Sequence, residues 1–231
     1  MPSSNAFMAL QELGDALPAQ NTPRDHPGRL KLPLVWLDLE MSGLDPAQDA
    51  ILQVAVILTN GTLTEEVQGP EIVIYQPVDV LEGMNEWCQE HHTSSGLKEA
   101  VTKSTIDLAA AERQVLEFLD KHILANHKAQ LAGSSVHTDL AFLRVHMPRL
   151  AERLDHRIVD VTTVVELAKR WKRGVFQARP RGRNKHTAMA DIEDSIAMLK
   201  YFRTSCARRG SGWLLEVQAG LSSQAGHPWR G

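Results

Sequence analysis

Asp38 and Glu40 stand at spacing i, i+2 inside the apolar run Leu34-Val35-Trp36-Leu37-Asp38-Leu39-Glu40-Met41, which soon meets Gly43 and Pro46. Alternation along a strand puts both carboxylates on one face and Leu37 and Leu39 on the other. Neighbouring carboxylates repel, and burying them without a partner is costly. A hard divalent cation such as Mg²⁺ or Mn²⁺ resolves the conflict, because it takes carboxylate oxygens. Taken alone, the pair also fits an edge strand with both acids in water. Further acids stand at element ends, Asp139 and Asp191, with His186 five residues before the latter. Singly, Asp139 reads as a helix cap, Asp191 as a partner of a helix dipole and His186 as a surface loop residue.

The elements that must position these groups follow from apolar periodicity. After the first strand, Ile51–Thr59 forms a fuller apolar run ended by the turn pair Asn60-Gly61, and Ile72-Val73-Ile74-Tyr75 makes a third run closed by Pro77. Short connections favour an antiparallel meander. Residues 81–102 mix Trp87, Cys88, His91, His92 and Gly96 and read as short helices and loops. A helical stretch follows Ser104-Thr105, with Leu108, Val115, Leu116, Leu119 and Ile123 on one face. Leu131–Val136 reads as a strand, His137–Val145 as a helix and Arg157–Val161 as a short strand. Thr162 or Thr163 then caps a helix to about Trp171, and the last helix opens near His186–Asp191, with Ile192, Ile196, Leu199 and Phe202 inward. The order predicts an α/β sandwich built on one mixed sheet. No internal repeat is present.

Composition excludes several classes. The chain has 231 residues, enough for one good-sized core, and a net charge of −3 leaves no basic bulk field, so any nucleic-acid contact must be local. The strongly basic stretch, Lys172 to Lys185, fits either a solvated loop or a phosphate-attracting arm, and its place before His186 favours the arm. Two distant cysteines, Cys88 and Cys206, point to a reduced intracellular chain, cytoplasmic or mitochondrial. No run approaches the roughly 18 apolar residues of a membrane span, and no membrane partner is expected. Residues 1–32 have linker composition around a short amphipathic stretch, Phe7 to Leu17, and residues 204–231 are expected to be a loosely ordered tail, with Trp213, Leu214, Leu215 and Val217 expected to dock as one short helix. The expected organisation is a flexible extension over 1–32, a domain over 33–203 and a tail over 204–231.

Three blocks, taken together, carry a resemblance: Asp38-Leu39-Glu40-Met41-Ser42-Gly43-Leu44-Asp45-Pro46; Gly133 through Asp139 to Leu143, followed by Met147-Pro148; and His186 through Asp191 to Ile196. Trp87-Cys88-Gln89-Glu90-His91-His92, Ser95-Gly96-Leu97 and Arg157 through Thr163 extend it. Over about residues 33–203 the chain resembles the oligoribonucleases, DEDD exonucleases in which a His accompanies the last Asp. The resemblance implies a ribonuclease H-like mixed β-sheet flanked by helices. It also implies a homodimer and a 3′→5′ exoribonuclease that degrades short oligoribonucleotides, dinucleotides especially, to nucleoside 5′-monophosphates. Asp38, Glu40, Asp139 and Asp191 become the cage for two Mg²⁺ or Mn²⁺ ions, and His186 the general base, whose ordinary pKa near 6.5 suits that task.

The same resemblance makes Leu44 a wedge against a base, Trp87 its stacking neighbour, and Ser135, Arg157 and Thr162 the contacts to the 5′ phosphate. Ordinary core or interface packing is the competing role for Leu44 and Trp87. This chain departs from the family pattern at His156, where a Tyr usually reaches the partner subunit's site; the imidazole is expected to stack and hydrogen-bond there. Ser134 replaces an Asn, Leu140-Ala141 replace a more basic pair, and the loop before His186 is unusually rich in Arg. An exonuclease for longer 3′ ends is the alternative of like chemistry. A non-catalytic nucleic-acid-binding module is disfavoured because every acid of the cage is present.

Overall fold

The computed structural model describes residues 29–182 and 187–207. At its centre is a five-stranded mixed sheet in the order β3-β2-β1-β4-β5. It comprises β1 (Leu34–Met41), β2 (Ile51–Thr59), β3 (Glu66–Val73), β4 (Ala129–Gly133) and β5 (Leu154–Asp160). β1, β2 and β3 form the antiparallel meander, and β4 and β5 add in parallel on the other side of β1. Short helices α1 (Val78–Glu82), α2 (Glu86–Ser94) and α3 (Leu97–Lys103) follow the meander. The longer α4 (Leu108–His122) leads to β4, and α5 (His137–His146) with α6 (Pro148–Arg153) connects β4 to β5. Finally come α7 (Val161–Trp171), α8 (Arg173–Gln177) and α9 (Ala188–Ala207). No described helix is long and apolar enough to cross a membrane.

The two sheet faces have separate cores. Val35, Leu37 and Leu39 pack with Val115 and Leu119 of α4, Phe142 and Leu143 of α5 and Leu150 of α6. Leu34, Trp36, Ala55 and Ile57 pack with Val161 and with Ile192 and Ile196 of α9. Both faces are covered, so all of β2 is buried, as an unbroken apolar run requires. The buried indole of Trp36 donates to Thr59 Oγ1 at 2.9 Å, which satisfies its one polar atom. The alternation that buries Trp36 under α9 also turns Asp38 and Glu40 to the α9 side.

Several boundaries differ from the sequence expectations. The third strand is Glu66–Val73 rather than a run through Tyr75. Its polar residues occupy an edge, where hydrophobic alternation is weak, and Gly69-Pro70 reads as a break. A register irregularity between Ala55 and Ile57 puts both residues opposite Val56 and keeps the strand paired. Ile74 still donates its amide to Leu52 O at 2.8 Å, just beyond the strand. β4 ends at Gly133, before Ser134. The start of α7 is capped by Asp160, not by Thr162 or Thr163. Part of the basic stretch is helical, as α8. The Phe7–Leu17 helix, the tail helix around Trp213 and His186 lie outside the described residues.

Candidate active site

Asp38 and Glu40 lie near the C-terminal end of β1, and Asp191 in the first turn of α9. α9 is held over this face by Ile192 and Ile196 against Trp36 and Ile57, so the residue just before Ile192 arrives beside the strand acids. One carboxylate oxygen from each of Asp38, Glu40 and Asp191 lies within 4.8 Å of the others. Asp139 is buried in the first turn of α5, and its Oδ1 accepts the Leu39 amide at 3.0 Å. The structure thus gathers three of the four expected acids into one group and fixes the fourth to the backbone between the first two.

The electrostatics are those of a site built for positive charge. Burial, followed by the charges of Asp139, Glu40 and Asp191, raises the Asp38 carboxyl well above the ordinary range. Glu40 is pushed up to about 7 by burial and then by Asp191 and Asp139. Asp139 is also pushed up to about 7, mainly by burial, although the Leu39 amide pulls the other way. Hard oxygen donors crowded at this distance fit a divalent cation, which offsets both the repulsion and the desolvation.

His92 borders the group. Its Nε2 donates to Met41 O at 2.9 Å, and its Nδ1 faces Glu40 Oε2 at 4.0 Å. Burial pulls the pKa of this imidazole down. With Nε2 carrying the proton, Nδ1 presents a lone pair toward the acids.

Leu44 and Trp87 are 78% and 67% exposed, which removes core packing as their role. Leu44 sits on a loop braced from inside. Asp49 accepts from Ser42 Oγ at 3.0 Å and from the Asp45 amide at 2.9 Å, and Ser42 Oγ accepts from Ala50 at 2.9 Å. His146 anchors the same loop by donating to Pro46 O at 2.9 Å. Trp87, on α2, stacks on His91 one turn later, with centroids 4.6 Å apart and planes 10° from parallel.

Ser135 and Thr162 are far apart in sequence, but their hydroxyl oxygens lie 3.1 Å apart. His156 and Arg157 are placed differently. They lie where β5 bulges away from β4, and their side chains are 78% and 71% exposed. The register aligns Ile158 with Leu131 and Leu131 with Val35, so Arg157 is level with the start of β1, about 13 Å along the strand from Asp38. The structure does not bring His156 and Arg157 to the acids of their own chain.

The comparisons with known proteins agree with this geometry. Residues 35–199 match the RNase_T family model, described as exonuclease. The chain is 46% identical over 176 residues to an oligoribonuclease of Arabidopsis thaliana, covering 76% of this chain and 79% of that protein. The chain belongs to the oligoribonuclease family. An oligoribonuclease of Marinobacter nauticus is 45% identical over 170 residues, covering 74% of this chain and 93% of its own length. A mouse relative named mitochondrial oligoribonuclease is 40% identical over 176 residues, covering 76% of this chain and 74% of that protein. Among solved structures, Escherichia coli exonuclease I in complex with a dA16 oligonucleotide superposes with a TM-score of 0.59 at 19% identity. That match covers 76% of this chain and 42% of the longer exonuclease I chain, and it shows the shared fold. The mixed sheet flanked by helices is the ribonuclease H-like fold of DEDD exonucleases.

Within this oligoribonuclease scaffold, sequence reasoning gave no role to His92, Asp49 or Asp160. His92 was visible only as the second His of a pair, and nothing local says that it turns inward toward Glu40. Asp49 follows Ser42 by seven residues, and only loop closure brings the two side chains together.

Proposed function

We propose that this chain is a homodimeric, intracellular 3′→5′ exoribonuclease that uses a divalent cation to degrade short oligoribonucleotides, dinucleotides especially, to nucleoside 5′-monophosphates. The observation that carries this reading is the trio Asp38, Glu40 and Asp191, within 4.8 Å of one another, in a member of the oligoribonuclease family. These residues, with Asp139 beside them, would hold Mg²⁺ or Mn²⁺, and the bound cations would supply the positive charge that activating a water and stabilising a leaving 3′ oxygen require. The match over residues 35–199 supports an exonuclease domain of about 33–203 between two peripheral segments.

The other residues bind, orient and move protons. His186 takes the proton from the attacking water, a task suited to an imidazole near neutral pH. Leu44 and Trp87 hold the bases, which their exposure on a braced loop and on α2 supports. Ser135 and Thr162 meet the 5′ phosphate, and the closeness of their hydroxyls supports that pairing. His156 serves the partner's site, a role supported by its exposure on edge strand β5, and Arg157, exposed beside it, joins the contacts to the 5′ phosphate. Relatives named mitochondrial and the sparse cysteines support an intracellular compartment.

The test is product formation from labelled RNAs of two to about ten nucleotides, with Mg²⁺, with Mn²⁺ and with chelator, at fixed salt. Dinucleotide cleavage that chelator abolishes is the expected result. Rates that rise with length would replace the short-substrate reading, and no metal-dependent cleavage at any length would overturn the enzyme itself.

A further inference from the structure

Ser135, itself a predicted contact to the 5′ phosphate, is one of the described non-glycine residues with positive φ, at 55°. A serine held in the left-handed region stays there only when its surroundings fix it. What fixes it is Asp160. Its Oδ1 accepts the Ser135 amide at 3.0 Å and the Thr162 amide at 2.8 Å. Gly133 of β4 and Asp160 of β5 are paired in register, so the loops leaving the two parallel strands start at one level. One carboxylate oxygen therefore ties both loops, and the Ser135 and Thr162 hydroxyls come to 3.1 Å from each other. The second oxygen faces His137 Nδ1 at 3.5 Å, and the Asp160 side chain is only 12% exposed.

This arrangement limits how an anion can be held there. Both amides are already used by Asp160, so an arriving phosphate finds the two hydroxyls as donors rather than the backbone. We propose that Asp160 is a positioning residue: it touches no substrate, but it sets the Ser135–Thr162 hydroxyl pair and with it the preference for a 5′-phosphorylated end. The proposal rests on the reading that these hydroxyls meet the 5′ phosphate. Without the Asp160 bridge, Ser135 is free to leave the left-handed region and the pair separates.

The test compares a 5′-phosphorylated diadenylate with its 5′-hydroxyl counterpart, using the full chain with Mg²⁺ and three variants. Asp160→Ala removes the bridge. Asp160→Ser keeps a side-chain oxygen able to cap α7 but too short to reach both amides, and it guards against failure to fold. Asp160→Asn retains a carbonyl oxygen that can accept both amides. The expected result for Asp160→Ser is a KM for the phosphorylated dinucleotide raised by about tenfold or more, with the loss falling on KM rather than kcat. Its discrimination between the two substrates falls toward one, while Asp160→Asn keeps it. Folded Asp160→Ser with wild-type discrimination would overturn the role of Asp160 alone. A wild-type enzyme indifferent to the 5′ phosphate would overturn the underlying reading, and this proposal with it.

Discussion

The amide of Leu39 donates to Asp139 Oδ1 at 3.0 Å, across 100 residues of sequence. Leu39 lies between Asp38 and Glu40, so this bond fixes the acid of α5 against the strand that carries the other two. β1 pairs with β4 only through Leu34–Trp36, which leaves the later backbone of β1 on that side open to a side-chain partner. Asp139 fills that place.

Asp139→Asn is therefore expected to separate folding from activity. The amide oxygen still accepts from Leu39, and a buried carboxyl with a raised pKa is gone. The metal-free variant should melt no lower than wild type at pH 8, while cleavage of a dinucleotide falls by about 10²-fold or more. Thermal denaturation in chelator, together with steady-state rates, checks both halves.

Metal-free stability should fall as pH rises through the acid range. Glu40 moves from an ordinary 4.5 to about 7 on folding, and Asp139 from 3.8 to about 7. Between those values the folded state binds more protons at these two groups than the unfolded state, so the stability they contribute is full below about 4 and is lost on approaching 7. A divalent cation that occupies the site should remove or reverse the loss. Melting temperatures from pH 4 to 8, with chelator and with excess Mg²⁺, measure it; parallel curves would argue against a cation at these acids.

Leu44→Ala and Trp87→Ala are expected to leave stability within about 0.5 kcal/mol of wild type, since both side chains are largely in solvent. Their cost should appear in kcat/KM for dinucleotides, at about 1–3 kcal/mol for a lost base contact. Chemical denaturation beside dinucleotide kinetics distinguishes a substrate contact from a packing residue.

Gly43→Ala tests the brace under Leu44. A Cβ at Gly43 would lie 2.4 Å from Asp49 Oδ2, the carboxylate that holds the Ser42 hydroxyl and the Asp45 amide. Asp49 must move, and Leu44 moves with the loop. Dinucleotide kcat/KM should drop by about tenfold or more with the metal affinity retained. Titration calorimetry with Mn²⁺ checks the retained affinity.

His92→Leu should change metal affinity by less than about tenfold, because Nδ1 presents only a lone pair to Glu40 and makes no hydrogen bond that would orient it. It removes the imidazole 4.0 Å from Glu40 and leaves Met41 O without its donor, at a stability cost of about 1–3 kcal/mol. Calorimetric titration and denaturation read the two effects separately.

The sequence by itself determined the strand with its two acids, the mixed α/β architecture and the acids that would serve a cation. Those features are local: period-2 alternation turns Asp38 and Glu40 to one face, and helical periodicity buries Ile192 and Ile196 beside Asp191. The polar edge strand β3 escaped that logic, because an edge needs little apolar alternation and a bulge absorbs Gly69-Pro70. Only the tertiary structure decided that Asp139 takes the Leu39 amide, that His92 turns toward Glu40, and that Asp160 ties Ser135 to Thr162. It also decided that His156 and Arg157 stand on an edge away from their own acids. Each of these depends on which strand ends lie side by side and where a backbone amide is left open, and residue types along the chain do not encode either quantity locally.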